Sequence, residues 1–412
     1  MNLLTTFISQ GMTAVTMIII TPVLLKGLGE ANFGVYSVLL NLIILFSIID
    51  FGGNLGIIRK MIHQVSESKQ LIPTLFYFYL SLSILLTPVL YFYLKGSIHE
   101  GSNSLQYALI LTCIIVSNII IMLFDSVLQS LHFIYVTKII RTIKTIVEFL
   151  GWFMFIKYGS IIYLLGVTVI VNIIYSTVLY NKVYQNHSFS LSPREFDFKI
   201  LQNHLSYSIW YFIAALATAL IYNIQILLFN RYSNSAIVAH FFIVTKFYEI
   251  IRVAASNFSQ VLFPKIIHLE SEKEWGSIKK MYFTSLFKAF LLAILIATVI
   301  ITIGDMLFVR WSNLNDPSTL QLFHYYLIFI VFIIVDNVSV IYLAALKLNT
   351  WPTIVSVLQG IVSIGCSILF INKYGLLGAF YASMLSFMIT NMIFNPAYLL
   401  NKIKHNAYKI ST

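Results

Sequence analysis

Six charged side chains stand out inside stretches that are otherwise apolar enough to cross a bilayer: Lys144 and Glu148, Lys246, Glu249 and Arg252, and Asp336. A charge held there costs on the order of 2.5–3.5 kcal/mol on insertion scales, so it needs a reason. The densest group falls in AIVAHFFIVTKFYEIIRVAASNFSQVLFP, residues 236–264. At about 100° per residue, Lys246, Glu249 and Arg252 share one broad face of a helix, one above the other. With a rise of about 1.5 Å per residue, Glu249 stands roughly 20 Å along that helix, near a bilayer midplane. One reading is a self-neutralising i, i+3, i+6 ladder that ties helices together. The other is a polar face lining a substrate path, and the default that intramembrane charges mark function favours it.

The remaining three residues extend the same chemistry. Lys144 and Glu148 form an i, i+4 pair, which serves equally as a structural ion pair or as part of a path. Asp336 has no counter-charge in its own helix within a turn. It takes a partner from a neighbouring helix or carries a proton, which makes it the candidate for proton coupling. Lys288 stands near a span end and reads as a snorkelling lysine.

Helices long enough to span a membrane must position these groups. The chain has 412 residues, 59% of them hydrophobic and 10% charged, where a soluble domain carries about 25% charged residues. Apolar runs recur from end to end, so the fold class is all-α, a polytopic membrane protein. Twelve spans are expected at about 3–25, 33–57, 71–94, 105–131, 139–156, 161–180, 204–229, 236–263, 281–304, 319–346, 352–371 and 377–400. With the N-terminus inside and Lys144 counted as flanking, seventeen lysines and arginines fall in inner loops and the tail, Arg59, Lys60, Lys138 and Arg141 among them, and six fall outside. That asymmetry places both termini in the cytoplasm, and it accounts for the net charge of +11 without nucleic acid as a partner. The first apolar run lacks preceding basic residues and a small-residue cleavage site, and is expected to be a retained helix.

The longest non-apolar stretch lies between the sixth and seventh spans. It suggests an N-terminal six-helix bundle over 1–180, a cytoplasmic linker over 181–203 and a C-terminal six-helix bundle over 204–412. The second span (NFGVYSVLLNLIILFSIID, from Asn32) sets against the eighth (IVAHFFIVTKFYEIIRVAA, from Ile237), as in internally repeated transporters.

Enzymatic chemistry finds little support. There is no Walker A, HExxH, GxSxG or DxD pattern. Cys113 and Cys366 lie apart, within apolar spans, too sparse for a metal site or a disulfide framework. DFGGNLGIIRK, residues 50–60, has glycines but neither a preceding strand nor a Lys-Ser/Thr ending. Gly52, Gly53 and Gly56 therefore read as sites of close helix packing.

GLGEANFGVYSVLLNLIILFSIIDFGGNLGIIRK, residues 27–60, resembles the N-terminal signature of the bacterial polysaccharide (O-antigen type) flippases. There a Gly-x-x-x-Phe/Tyr-Gly-x-Tyr element opens the second helix, and Asp-Phe/Leu-Gly with a basic residue closes it. The Lys246 helix ending at Pro264 is similar to that family's eighth. The family shares a superfamily with multidrug and toxin extrusion transporters and peptidoglycan lipid flippases. The resemblance implies two six-helix bundles around a central cavity, and no cofactor. It implies an undecaprenyl-pyrophosphate-linked oligosaccharide, an O-antigen or capsule repeat unit, moved from the inner to the outer leaflet of the cytoplasmic membrane. Membrane lipid and other polysaccharide assembly proteins are the further partners it implies. Such a polar head group cannot cross hydrocarbon unaided, and Lys246 and Arg252 would bind its pyrophosphate, Arg252 through bidentate contact. Lys144, Lys246 and Arg252 are matched by Glu148, Glu249 and Asp336, so either some of the six face elsewhere or some carboxyls are protonated. The alternatives are a cation-coupled drug antiporter of the related branch and a membrane glycan polymerase or ligase. The first helix lacks the carboxylate usual in the former, and no outer loop is large enough for the latter.

Overall fold

The computed structural model describes residues 2–63, 68–97, 103–186 and 189–411, and among them every regular element is helical. The chain forms two compact units, Met1–Leu216 and Ala217–Thr412.

The first unit comprises α1 (Asn2–Phe46), α2 (Gly53–His63), α3 (Ser68–Ser97), α4 (Ser104–Ser130), α5 (Ile134–Phe155), α6 (Ile161–Asn186) and most of α7 (Phe198–Tyr222). Helix α4 is its centre and packs against α2, α3 and α6. Leu111, Ile115, Ile119, Leu123 and Val127 recur every fourth residue and are all fully buried, which is the stripe a helix needs to bury one face. Lipid offers little hydrophobic drive between such helices, so polar contacts add to the packing. The Asn172 amide of α6 donates to Ser117 Oγ and Asn118 Oδ1 on α4, each at 3.0 Å, and Thr87 of α3 donates to Thr112 at 3.1 Å. Ile84, Leu85 and Phe92 of α3 stay exposed, the surface a bilayer would cover.

The second unit comprises α8 (Ile224–Tyr232), α9 (Ser235–Gln260), α10 (Phe263–Ser271), α11 (Trp275–Val299), α12 (Asp305–Ser312), α13 (Pro317–Ala345), α14 (Thr350–Tyr374), α15 (Leu376–Ile389) and α16 (Asn391–Ser411). A π-helical turn, Ile300–Gly304, links α11 to α12. Helix α13 is the hub, packed against α9, α11 and α16. Asp316 caps it, its carboxylate accepting from the Thr319 N–H at 3.0 Å, with Pro317 in the first turn where no N–H is needed. Around Phe323 the rings of Phe247, Tyr248 and Phe308 lie with centroids 5.2, 5.3 and 4.6 Å away. Elsewhere the glue is polar: Gln225 of α8 donates to Ser363 of α14 at 3.2 Å and also to Ser383 of α15, and Asn391 of α16 donates to Gln359 of α14 at 2.6 Å.

The run 50–60 makes a packed corner. Phe51 and Gly52 both have left-handed backbone, φ 51° and 71°, which ends the preceding helical turn. Asp50 restarts the helix by accepting from the Gly52 N–H at 2.9 Å and the Asn54 N–H at 3.3 Å. The glycines then meet α7. A Cβ on Gly52 would stand 2.6 Å from Ser208 O and 2.8 Å from Phe212 N, and one on Gly56 would collide with Ser208 Oγ. His204 Nε2 is hydrogen-bonded to Gly53 O at 2.9 Å. The close-packing reading of these glycines holds.

Among the described residues, nine stretches are long and apolar enough to span a bilayer, against the twelve expected. The first, Ser9–Asp50, merges two expected spans because helix runs on both sides of a single break at Gly29, φ 75° and ψ 161°. Helices α5 and α9, with 22 and 26 residues, are long enough but fall outside by composition. Their charges are Lys138, Arg141, Lys144 and Glu148 in one, and Lys246, Glu249 and Arg252 in the other. Around the linker expected at 181–203, α6 continues to Asn186 and α7 starts at Phe198. Tyr77 of α3 donates to Leu191 O at 2.7 Å, which ties the intervening turn to the first unit.

Candidate functional site

Helix α9 sorts its residues by face. Val238, Ala239, Phe241, Phe242, Ile243, Val244 and Tyr248 are buried, and the helix packs on α13. Asn234 caps its start, accepting from the Ile237 N–H at 2.9 Å. Lys246, Glu249 and Arg252 are left on a less buried face. Lys246 Nζ bonds Glu249 Oε2 at 2.6 Å, and Arg252 Nη2 lies 3.9 Å from Glu249 Oε1. The Arg252 guanidinium sits 4.5 Å from the ring centroid of Tyr222, at the end of α7, a cation–π contact that holds its plane without occupying its donors. The side chain of Glu249 is 43% exposed, those of Lys246 and Arg252 16% and 30%. A purely structural ladder buried in hydrocarbon would hide all three. Here the shared carboxylate is exposed, Lys246 is held close to it and Arg252 stands 3.9 Å from it.

Asp336 of α13 takes its partner from a distant helix. The Asn395 amide of α16 donates to its two oxygens at 3.1 and 3.3 Å. The neighbour that the sequence required is therefore neutral. Asn395 Oδ1 is buried and has no partner, so a protonated Asp336 would find an acceptor beside it. Tyr222 lies within electrostatic reach of Arg252, Asp336 and Glu249.

In the first unit Lys144 and Glu148 pair at 3.4 Å along α5, both largely buried. Glu148 lies within electrostatic reach of Tyr36, which belongs to the NFGVY element and is itself buried. A second pair escaped sequence reasoning. Asp125 of α4, its side chain 5% exposed, bonds Arg141 of α5 at 2.8 Å and accepts from Gln129 at 3.2 Å. The sequence pattern places Arg141 in an inner loop, but α5 starts at Ile134, five residues before the expected span, and carries it within the helix. The run of cations in 138–144 hid a carboxylate on the preceding helix. The side chains of Arg59 and Lys60, which the resemblance counts in its motif, lie outside the described residues. Among those described, no three His, Cys, Asp or Glu side chains come together as metal ligands.

Solved transporters share this fold. The lipid II flippase MurJ in an inward closed conformation superposes with a TM-score of 0.76 at 16% identity, covering 100% of this chain and 89% of that one. An inward-facing multidrug resistance MATE transporter of the MOP superfamily gives 0.75 at 12% identity, covering 97% and 95%. A MOP superfamily transporter from Pyrococcus furiosus gives 0.63 at 11%, covering 98% and 94%. At these identities the likeness is one of fold. No curated protein matches the chain. The model of the polysaccharide biosynthesis proteins matches residues 1–270, a stretch that takes in the DFGG corner, the Lys144–Glu148 pair and the whole α9 charge cluster, and the chain belongs to that family.

Proposed function

We propose that the chain is a flippase that moves an undecaprenyl-pyrophosphate-linked oligosaccharide, an O-antigen or capsule repeat unit, from the inner to the outer leaflet of the bacterial cytoplasmic membrane, without an enzymatic step. The observation that carries this reading is the charge cluster of α9, two cations around one exposed carboxylate. Lys246 and Arg252 flank one exposed carboxylate, so two positive groups are available to a pyrophosphate at the depth where its desolvation is hardest. Membership of a polysaccharide biosynthesis family supports the glycan cargo. In this reading Lys246 and Arg252 hold the pyrophosphate, Glu249 neutralises them between cycles, and Lys144 and Glu148 contribute to the path. Asp336 couples the cycle to protons.

The test is surface polysaccharide export, normalised to membrane protein abundance, for Lys246→Ala, Glu249→Gln and Arg252→Ala. Loss of either cation is expected to lower specific export at least tenfold, and Arg252→Lys to keep part of it, since a point charge replaces a planar fork. Glu249→Gln should leave abundance unchanged. If export and abundance fall in strict proportion for all three, the cluster is structural and the assignment is wrong.

A further inference from the structure

A second cationic feature lies in the second unit, apart from the α9 charges. Where α9 ends, α10 and α11 diverge around a cavity of about 620 Å³. Three lysines line it: Lys265 from α10, and Lys280 and Lys288 from α11. Lys280, Thr284 and Lys288 are spaced four residues apart, so they form one row along α11 about 12 Å long. No carboxylate lines the cavity, and none of the three lysines joins an ion pair among the described residues. The other walls combine apolar side chains, Leu262, Leu269, Met281 and Val338 among them, with the hydroxyls of Ser259, Ser277 and Ser285.

Each part of this lining has a bland explanation alone. Lys288 can snorkel, and Lys265 on the surface helix α10 needs no partner. Snorkelling does not explain why cations from two helices converge on one concavity with no acid among them. Like charges so placed repel, and the arrangement is relieved when an anion enters. The apolar side chains match the first methylenes of a phospholipid, and the serine hydroxyls can bond its glycerol and phosphate oxygens. Trp275 opens α11 close by, the residue type that settles at the headgroup level.

We propose that this cavity binds a phosphate group among Lys265, Lys280 and Lys288, carried there by an anionic phospholipid. The site is independent of the pyrophosphate assignment at Lys246 and Arg252, because it is read by binding and not by export. Full-length protein in detergent is titrated with phosphatidylglycerol and with phosphatidylcholine, and bound lipid is counted by native mass spectrometry. The wild type is expected to retain phosphatidylglycerol preferentially. Lys280→Gln/Lys288→Gln should lose that preference by about tenfold or more, given the usual worth of each lysine at an anionic headgroup. The exposed Lys265→Gln, which leaves α11 intact, should weaken it by a smaller factor. Lys373→Gln, at the end of α14, should leave it unchanged. A parallel thermal-shift titration with inorganic phosphate separates the sources. Stabilisation by phosphate that the lysine variants abolish, without lipid preference, assigns the site to a soluble phosphate and overturns the lipid. Equal retention of both lipids by wild type and variants, with no phosphate response, overturns the site.

Discussion

Asp336 and Asn395 form a bond that can survive a change of protonation. With the carboxyl ionised, the amide donates to it at 3.1 and 3.3 Å; with the carboxyl protonated, its O–H can donate to the otherwise unpartnered Asn395 Oδ1. Neither state breaks an ion pair, so the switch between them is not opposed by a lost Coulomb contact. Asp336→Asn is expected to preserve abundance while changing how export depends on the proton gradient. Export with and without an uncoupler, at matched protein level, reads this out, and unchanged dependence removes Asp336 from the mechanism. At this scale the sequence was informative about what is local. Lys246, Glu249 and Arg252 were legible because their spacing matches the helical period. Asn395 and Tyr222 were not, since each comes from a separate helix and nothing in the local pattern of α13 or α9 points to it. Asp125 was missed because a carboxylate in an apolar run declares no partner until α5 lies beside it.

The corner between α1 and α2 shows what an element gains from three glycines. Gly52 is constrained twice, by its φ of 71° and by backbone atoms of α7 at 2.6 and 2.8 Å from where a Cβ would stand. Rotating a side chain cannot relieve a clash with Ser208 O or Phe212 N. Gly52→Ala should therefore destabilise the protein by about 2–4 kcal/mol, combining left-handed strain with overpacking. Gly166→Ala, inside α6 with nothing within 4 Å, should be neutral or stabilise by up to about 1 kcal/mol. Thermal unfolding of both variants in detergent decides between them, and similar behaviour would refute the account. The packing role of these glycines was legible, but the partner helix was not. Helix ends proved harder still: Gly29 breaks α1 at one residue, and α5 starts before its apolar run because Lys138 and Arg141 are good helix formers.

For the whole molecule, the lie of α5 and α9 decides the number of spans, since both are long enough to span but carry three or four charges each. If both cross, reporters fused after Lys182 and after Trp275 will report cytoplasm, and one near Asn313 will report the outside. A cytoplasmic signal at Asn313 breaks the twelve-span arrangement, and with it the seventeen-to-six distribution of basic residues as a guide to orientation. The all-helical membrane fold was legible from composition because lipid leaves the backbone few alternatives. The count was not, because apolarity alone counts nine. The same two helices differ in the order of their making. Helix α5 packs on α1 and α4, both already synthesised when it emerges, whereas α9 packs chiefly on α13, which is complete only at Ala345. At about 5–20 residues per second, α9 waits on the order of ten seconds for its main neighbour. During that interval its earlier neighbours within the unit include α8 and Tyr222 at the end of α7, so the nascent chain passes through a stage in which Lys246, Glu249 and Arg252 are held without α13, and the ribosome's pace sets how long that stage lasts.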